Sequence, residues 1–335
     1  MAKRQEMASR VMRETSAFRH PAMRRLVRAS FLGLSASVFA VAVLLISNDP
    51  AFAGLAVLAG VLGAILGSLG ARALRPVGER LFGVTTNARL LELANPAHPL
   101  MRKLMTRAPG TYTHSVVVAN LAEAAAEAIG ANPLVARVGG YYHDVGKLVR
   151  PEFFFENISG GENPHDSSSP DRSTQIIITH VTDGLELADA YHLPREIQEI
   201  IGEHHGTSVV RCFYWKAAEA DASVFESAFR YPGALPHTRE AGLVMLADAS
   251  EAAVRALRTP TDEQTAATVV KVIAERVTDG QLAESGLSTS DVDNVAKTYT
   301  RILVSMYHPR MAYPEPRPRR ENADSNHEPS RARTA

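Results

Sequence analysis

Hydrophobic and polar positions divide the chain into distinct regimes. From Ala29 to Ala71 the only charge is Asp49. Two apolar runs fill that window, Ala29–Ser47 and Ala51–Ala71, each close to the ~20 residues a helix needs to cross a bilayer. Ser-Asn-Asp-Pro between them reads as a turn. Residues 75–110, punctuated by Pro76, Pro96, Pro99 and Pro109, read as a connector. From residue 111 to 313 apolar positions recur at helical spacing with no sustained period-2 alternation, so this block reads as all-helical. Residues 314–335 lack apolar periodicity and read as a disordered tail.

Punctuation residues predict the helices of the large block. One runs from about Thr113 to Ile129 and stops at Gly130. Asn132 caps the next, with Pro133 at its first position, and it continues to about Val145. Asp171 opens a helix through Ala190, and Pro194 opens one that reaches His205. Residues 213–238 read as irregular, and further helices fit Arg239–Arg258, Asp262–Thr278 and Ser288–Tyr307.

Charge orients the apolar pair. Lys3, Arg4, Arg10, Arg13, Arg19, Arg24, Arg25 and Arg28 precede it, and Arg72, Arg75, Arg80 and Arg89 follow it. Basic flanks stay on the cytoplasmic side. The expectation is a two-pass hairpin over 29–74 in the inner (cytoplasmic) membrane, after a basic lead over 1–28, with both termini and the helical block in the cytosol. Gly60, Gly63, Gly67 and Gly70 share one face of the second run; this suits close packing within the hairpin, or a homodimer face as the alternative. Overall, 335 residues allow about two domains. Hydrophobic residues at 45% and charged residues at 21% exclude wholesale disorder. Lys+Arg and Asp+Glu both number 36, so no basic excess points to nucleic acid, and none is expected as a partner. The lone Cys212 excludes an intramolecular disulfide.

The chemistry lies in polar residues that continue apolar faces. Ile197, Ile200, Ile201, His204 and His205 follow one helical stripe; Ile176, Ile177 and His180 share another. His114 lies with Val117, Val118 and Leu121, and Asp248 with Ala241, Val244, Met245 and Ala252. His143-Asp144 ends a helix with Leu134, Val135 and Val138 on its inner face. A buried, unpaired carboxylate costs several kcal/mol, so Asp248 needs a partner. Five histidines and two aspartates pointing inward are satisfied together by metal ions, and nitrogen with oxygen donors suits Fe, Mn or Zn. Seven ligands exceed one ion's ordinary demand; two divalent ions bridged by a shared carboxylate fit, a device for hydrolysis at phosphorus.

His143-Asp144-Val145-Gly146-Lys147 is an HD signature, and the ordered series His114, His143-Asp144, His180, His204-His205, Asp248 resembles the two-metal branch of the HD-domain phosphohydrolases. Further segments narrow the resemblance: His98-Pro99-Leu100, Ala108-Pro109-Gly110-Thr111-Tyr112, Asn163-Pro164-His165-Asp166, His204-His205-Gly206-Thr207-Ser208 and Met245-Leu246-Ala247-Asp248. Over about residues 75–315 the chain is similar to the cytosolic part of the seven-transmembrane HD family of cyclic di-AMP phosphodiesterases. The fold so implied is all-α, an HD-domain helical bundle behind a transmembrane hairpin. The activity implied is hydrolysis of cyclic di-AMP to pApA; the alternatives are another cyclic dinucleotide or nucleotide, or a non-catalytic receptor. The resemblance gives one metal His114, His143, Asp144 and Asp248, and the other Asp144, His180, His204 and His205, with Fe or Mn as the ions. It places Asp144 and Lys147 in catalysis, and Lys147 and His308 against substrate; His165 and Asp166 are candidates for shaping the pocket. The family carries a large extracytoplasmic domain and seven membrane helices, whereas this hairpin resembles only the last two, which leaves the regulatory input open.

Overall fold

The computed structural model describes residues 58, 60–63, 65, 67, 69–70, 85–158, 160 and 162–307. The lead over 1–28, the first apolar run, the tail over 314–335 and His308 lie outside the described residues. Of the second apolar run, the described residues are helical, and Leu58, Val61, Leu62, Ile65 and Leu69 are all exposed. Among the described residues no helix is long and apolar enough to cross a membrane.

Downstream, the described chain is a succession of helices: α1 Asn87–Leu93, α2 Pro99–Arg107, α3 Pro109–Ile129, α4 Pro133–Tyr142, α5 Pro170–Ala190, α6 Arg195–Glu203, α7 Arg211–Ala220, α8 Arg239–Ala256, α9 Asp262–Thr278 and α10 Thr289–Tyr307. Short 3₁₀ turns occupy Val145–Leu148, Pro151–Phe153, Phe155–Asn157 and Glu226–Phe229. Among the described residues extended pairing is limited to an isolated bridge between Val209 and Arg230. The all-helical reading therefore holds for the described part.

Proline sets several starts. Pro99, Pro109, Pro133 and Pro170 each sit in the first turn of a helix, where a missing N–H costs nothing. This corrects the connector reading of 75–110. Pro99 and Pro109 begin helices there, and Leu90, Leu93, Leu100, Met101 and Leu104 are buried in a core shared with Tyr142, Val145, Ile197 and Ile201. For the same reason α3 begins at Pro109 rather than Thr113. The side chain that caps α5 is Ser169, which accepts from Arg172 N at 3.3 Å, and Asp171 lies inside the first turn. Helix α7 occupies part of the segment read as irregular. It buries only Ala217 and leaves Trp215 exposed.

Helix α3 is the axis of the bundle, packed by α2, α4, α8 and α10. Its approach to α4 is close: a Cβ on Gly140 would stand 2.5 Å from Ala119 Cα. A second core, with Val118, Leu121, Val244, Leu246, Ile273 and Tyr299, joins α3 to α8, α9 and α10. Tyr299 donates to Leu243 O at 2.8 Å, so the phenol is not an unmet polar group in that core. The inner faces of α3, α4, α5, α6 and α8 converge between the two cores, where the polar residues collect.

Candidate metal centre

Each of the seven sequence-predicted ligands reaches one place. His114 comes from α3, His143 and Asp144 from the end of α4, His180 from α5, His204 and His205 from the end of α6, and Asp248 from α8. Their ligating atoms form two sets that share Asp144: His114, His143, Asp144 and Asp248, and Asp144, His180, His204 and His205. Within each set these atoms lie within 4.8 Å of one another. In the first, His114 Nε2 is 3.0 Å from Asp248 Oδ1, and His143 Nε2 is 3.2 Å from Asp144 Oδ2. In the second, His180 Nε2 and His204 Nε2 lie 3.3 and 3.6 Å from Asp144 Oδ1. Asp144 thus turns one oxygen to each set.

The proton positions test whether cations belong there. His143 Nδ1 is 2.8 Å from Gly140 O, His180 Nδ1 is 2.6 Å from Ile177 O, and His204 Nδ1 is 2.8 Å from Ile201 O. A carbonyl only accepts, so each ring holds its proton on Nδ1 and presents a bare Nε2 inward. The result is lone pair against lone pair. His180 Nε2 faces His204 Nε2 at 3.3 Å, and His143 Nε2, fully buried, has no hydrogen-bond donor. The two Asp144 oxygens make no well-angled hydrogen bond, and their charge is met by Lys147 Nζ at 2.7 Å. Buried acceptors without donors are costly, and a cation between them removes the conflict. The donor set is imidazole and carboxylate with no thiolate, which fits a divalent transition ion.

The surroundings tune these groups. Burial opposes ionisation of Asp144 and Asp248, yet the Lys147 charge beside the first and the hydrogen bond from His114 to the second hold both well below the usual carboxylate range. Burial, then the neighbouring His204, keeps His205 neutral. At His114 burial is outweighed by hydrogen bonds and charges from Asp248 and Glu251, which raise it to about 9. A metal ion entering that set must displace this proton. Lys147 is held in its charged form by Asp144 and Glu156 despite burial. Its Nζ lies 2.9 Å from Glu156 Oε1 and 5.0 Å from the centre of the Phe154 ring.

Several neighbours of the ligands were missed in the sequence. Glu156 lies in a 3₁₀ turn and also accepts from Thr111 Oγ1 at 3.1 Å. Glu251 lies one turn beyond Asp248 and binds His114 Nδ1. Tyr231 stacks on His205 at 4.2 Å between ring centres, and Phe154 meets His180 edge-on at 5.8 Å. A carboxylate one turn from a ligand on the same inward face was the signal available for Glu251. His165 does not enter the metal cluster. Its Nε2 bonds Phe153 O at 2.8 Å and its ring packs on Phe213, which ties the long loop to α7, while Asp166 is exposed.

Comparison with known proteins agrees with this arrangement. Residues 111–253 match the HD domain family. The chain is 42% identical over 301 residues to cyclic-di-AMP phosphodiesterase PgpH of Bacillus subtilis, covering 89% of this chain and 42% of that protein. It is 41% identical over 289 residues to PgpH of Listeria monocytogenes, covering 85% and 40%. The chain thus spans about two fifths of the length of these curated relatives. The crystal structure of the L. monocytogenes PgpH HD domain in complex with cyclic-di-AMP superposes with a TM-score of 0.62 at 42% identity, over 64% of this chain and all of that one.

Proposed function

The chain belongs to the HD-domain family, and from that premise we propose that it hydrolyses cyclic di-AMP to linear pApA with two divalent metal ions, Fe or Mn. The observation that carries the reading is the pair of ligand sets sharing Asp144, in which buried Nε2 lone pairs face one another and a carboxylate with no donor between them. The substrate follows from the relatives: two are cyclic-di-AMP phosphodiesterases, and the HD domain of one is crystallised with that nucleotide.

When bound, a pair of ions activates water and clamps phosphoryl oxygens. His114, His143, Asp144 and Asp248 would hold one ion, and Asp144, His180, His204 and His205 the other. The protein's part is preorganisation. Backbone carbonyls and Glu251 fix the rings of His143, His180, His204 and His114, so these four need not reorient during turnover. Lys147 supplies a fixed positive charge beside Asp144, within reach of a phosphate oxygen where negative charge grows during in-line attack. Glu156 keeps that ammonium from collapsing onto Asp144 alone. Phe154 and Tyr231 wall the histidines with apolar ring surface and limit water around the reacting phosphate.

The membrane placement is part of the proposal. Two apolar runs with basic flanks support a two-pass hairpin that holds the HD domain at the cytosolic face of the inner membrane. The exposed leucines and isoleucine of the second run suit a lipid surround. His308, one residue beyond α10, is proposed as a substrate contact.

The test is direct. The purified chain is incubated with cyclic di-AMP and, separately, cyclic di-GMP, with Mn or Fe and with chelator, and products are resolved by chromatography. Metal-dependent pApA from cyclic di-AMP alone is the expected result. Metal-loaded protein that turns over neither nucleotide refutes the reaction, and binding without a product identifies a receptor instead.

A further inference from the structure

The four rings whose Nε2 points at the metal sets do not receive the same support. His143, His180 and His204 lean on neutral backbone carbonyls. His114 alone leans on a carboxylate, Glu251, buried at 2% exposure. That carboxylate is itself anchored twice. Tyr307, the last residue of α10, donates to Glu251 Oε1 at 3.3 Å, and Arg255 Nε lies 3.5 Å from Oε2. A carboxylate behind a ligating imidazole orients the ring and raises its basicity; its loss typically costs about 10–100-fold in metal affinity.

Charge makes the two sets unequal in the same direction. The His114 set holds Asp248 as well as the shared Asp144, with Glu251 behind it. The His180 set holds Asp144 with three imidazoles. A dication therefore meets up to three carboxylates in one position and one in the other, and Lys147 beside Asp144 weakens both. We infer that Glu251 is a positioning residue that makes the His114 position the tight metal site and the His180 position the labile one, and that the end of α10 secures this through Tyr307. The inference rests on the two-metal reading and deepens it: metal loading is ordered, and the dinuclear centre is lost first from the His180 side.

The test is a metal titration, not an activity assay. The full chain, solubilised in detergent and freed of metal, is titrated with Co²⁺, followed by visible absorption and calorimetry. The wild type should take two equivalents in two resolved steps. Glu251→Gln should weaken the tight step by about 10–100-fold and leave the weak step in place. Tyr307→Phe keeps the carboxylate and should weaken the tight step by less. A Glu251→Gln protein that keeps the tight step, or loses both steps equally, overturns the inference, as does a wild type whose two steps coincide. If Glu251→Gln does not fold, an unchanged tight step in Tyr307→Phe is decisive against it. A wild type that binds fewer than two ions overturns the two-metal reading together with this one, whereas two ions with unmoved variants overturns this one alone.

Discussion

Gly146 follows the His-Asp pair and lies where the 3₁₀ turn Val145–Leu148 presses on α5. A Cβ there would stand 1.9 Å from His180 O, 2.5 Å from Gly184 N and 2.9 Å from Gly184 Cα. All three are backbone atoms, so no side-chain rotation relieves the contact. Ordinary contact begins at 3.4 Å, and the turn and helix must part by about 1.5 Å to reach it. Overpacking costs about 1–3 kcal/mol, and a backbone clash belongs at the upper end. At ~2–4 °C per kcal/mol, Gly146→Ala should lower the melting temperature by about 6–12 °C. The separation also draws His180 away from Asp144, so bound metal should fall from two ions toward one, with turnover down about 100-fold or more. Differential scanning calorimetry, elemental analysis and the proposed cyclic di-AMP hydrolysis assay read the three effects on one preparation. Gly202→Ala is the control: a Cβ there meets only Leu185 methyls at 3.8 Å, and a helical alanine should stabilise slightly. If Gly146→Ala melted within about 2 °C of wild type and kept two metals, the contact would not be holding His180.

His143→Ala or Asp144→Ala should abolish turnover while circular dichroism stays native, since His143 Nε2 has no donor to lose and Lys147 keeps Glu156 as a partner when Asp144 is gone; retained wild-type rates would displace the site. Lys147→Met should lower kcat by about 100–1,000-fold with metal content unchanged, because the ammonium acts on developing charge; an unaltered kcat would make the lysine a neutraliser of Asp144 only. Leu104→Ala, in a fully buried position of α2, should cost about 2–5 kcal/mol in urea unfolding, and a cost near zero would mean that 87–107 is not part of the core. Arg230 holds Asp279 below its usual range by hydrogen bond and charge. That contribution is present above the unfolded carboxylate's pKa of about 4 and vanishes as pH falls through the depressed folded value. Asp279→Asn should therefore destabilise at neutral pH and flatten the loss of stability below about pH 4; unchanged acid sensitivity would show the pair to be energetically silent.

What was legible in the sequence followed from periodicity and residue type. Ligands such as Asp248 and His180 sit where an apolar residue would complete a stripe, so the spacing that defines the inner face also exposes the exception. Glu156 was not legible, because it works from a 3₁₀ turn and reaches Lys147 through the fold rather than along a face. Helix α7 escaped notice because it is short, has no capping side chain or opening proline to mark its start, and buries a single alanine. The segment over 87–107 was misjudged for the opposite reason. Its buried leucines are strongly apolar, but helices of 7 and 9 residues are too short for a period to stand out between prolines.

The two adjacent ligand pairs required a correction that explains them. Extending α4 to Val145 and α6 to His205 would leave His143 and Asp144, or His204 and His205, inside a helix, where neighbours diverge by about 100°. Such neighbours converge on one centre less readily than residues three or four apart. In the structure α4 stops at Tyr142 and α6 at Glu203, and His143 and His204 are the residues that end them. Asp144 has left the helical conformation, at φ −102° and ψ 14°, and turns back toward the site. The helix end also supplies the support for the first member of each pair. Gly140 and Ile201 lie in the last turns of their helices, where carbonyls lack intrahelical partners, and those oxygens accept from His143 and His204. Ending a helix at a histidine thus achieves two things at once: it fixes that ring's proton on Nδ1, and it frees the next residue to reach the same centre. An HD or HH dipeptide becomes informative when a helix stops on it, which is a property of the fold and not of the two letters.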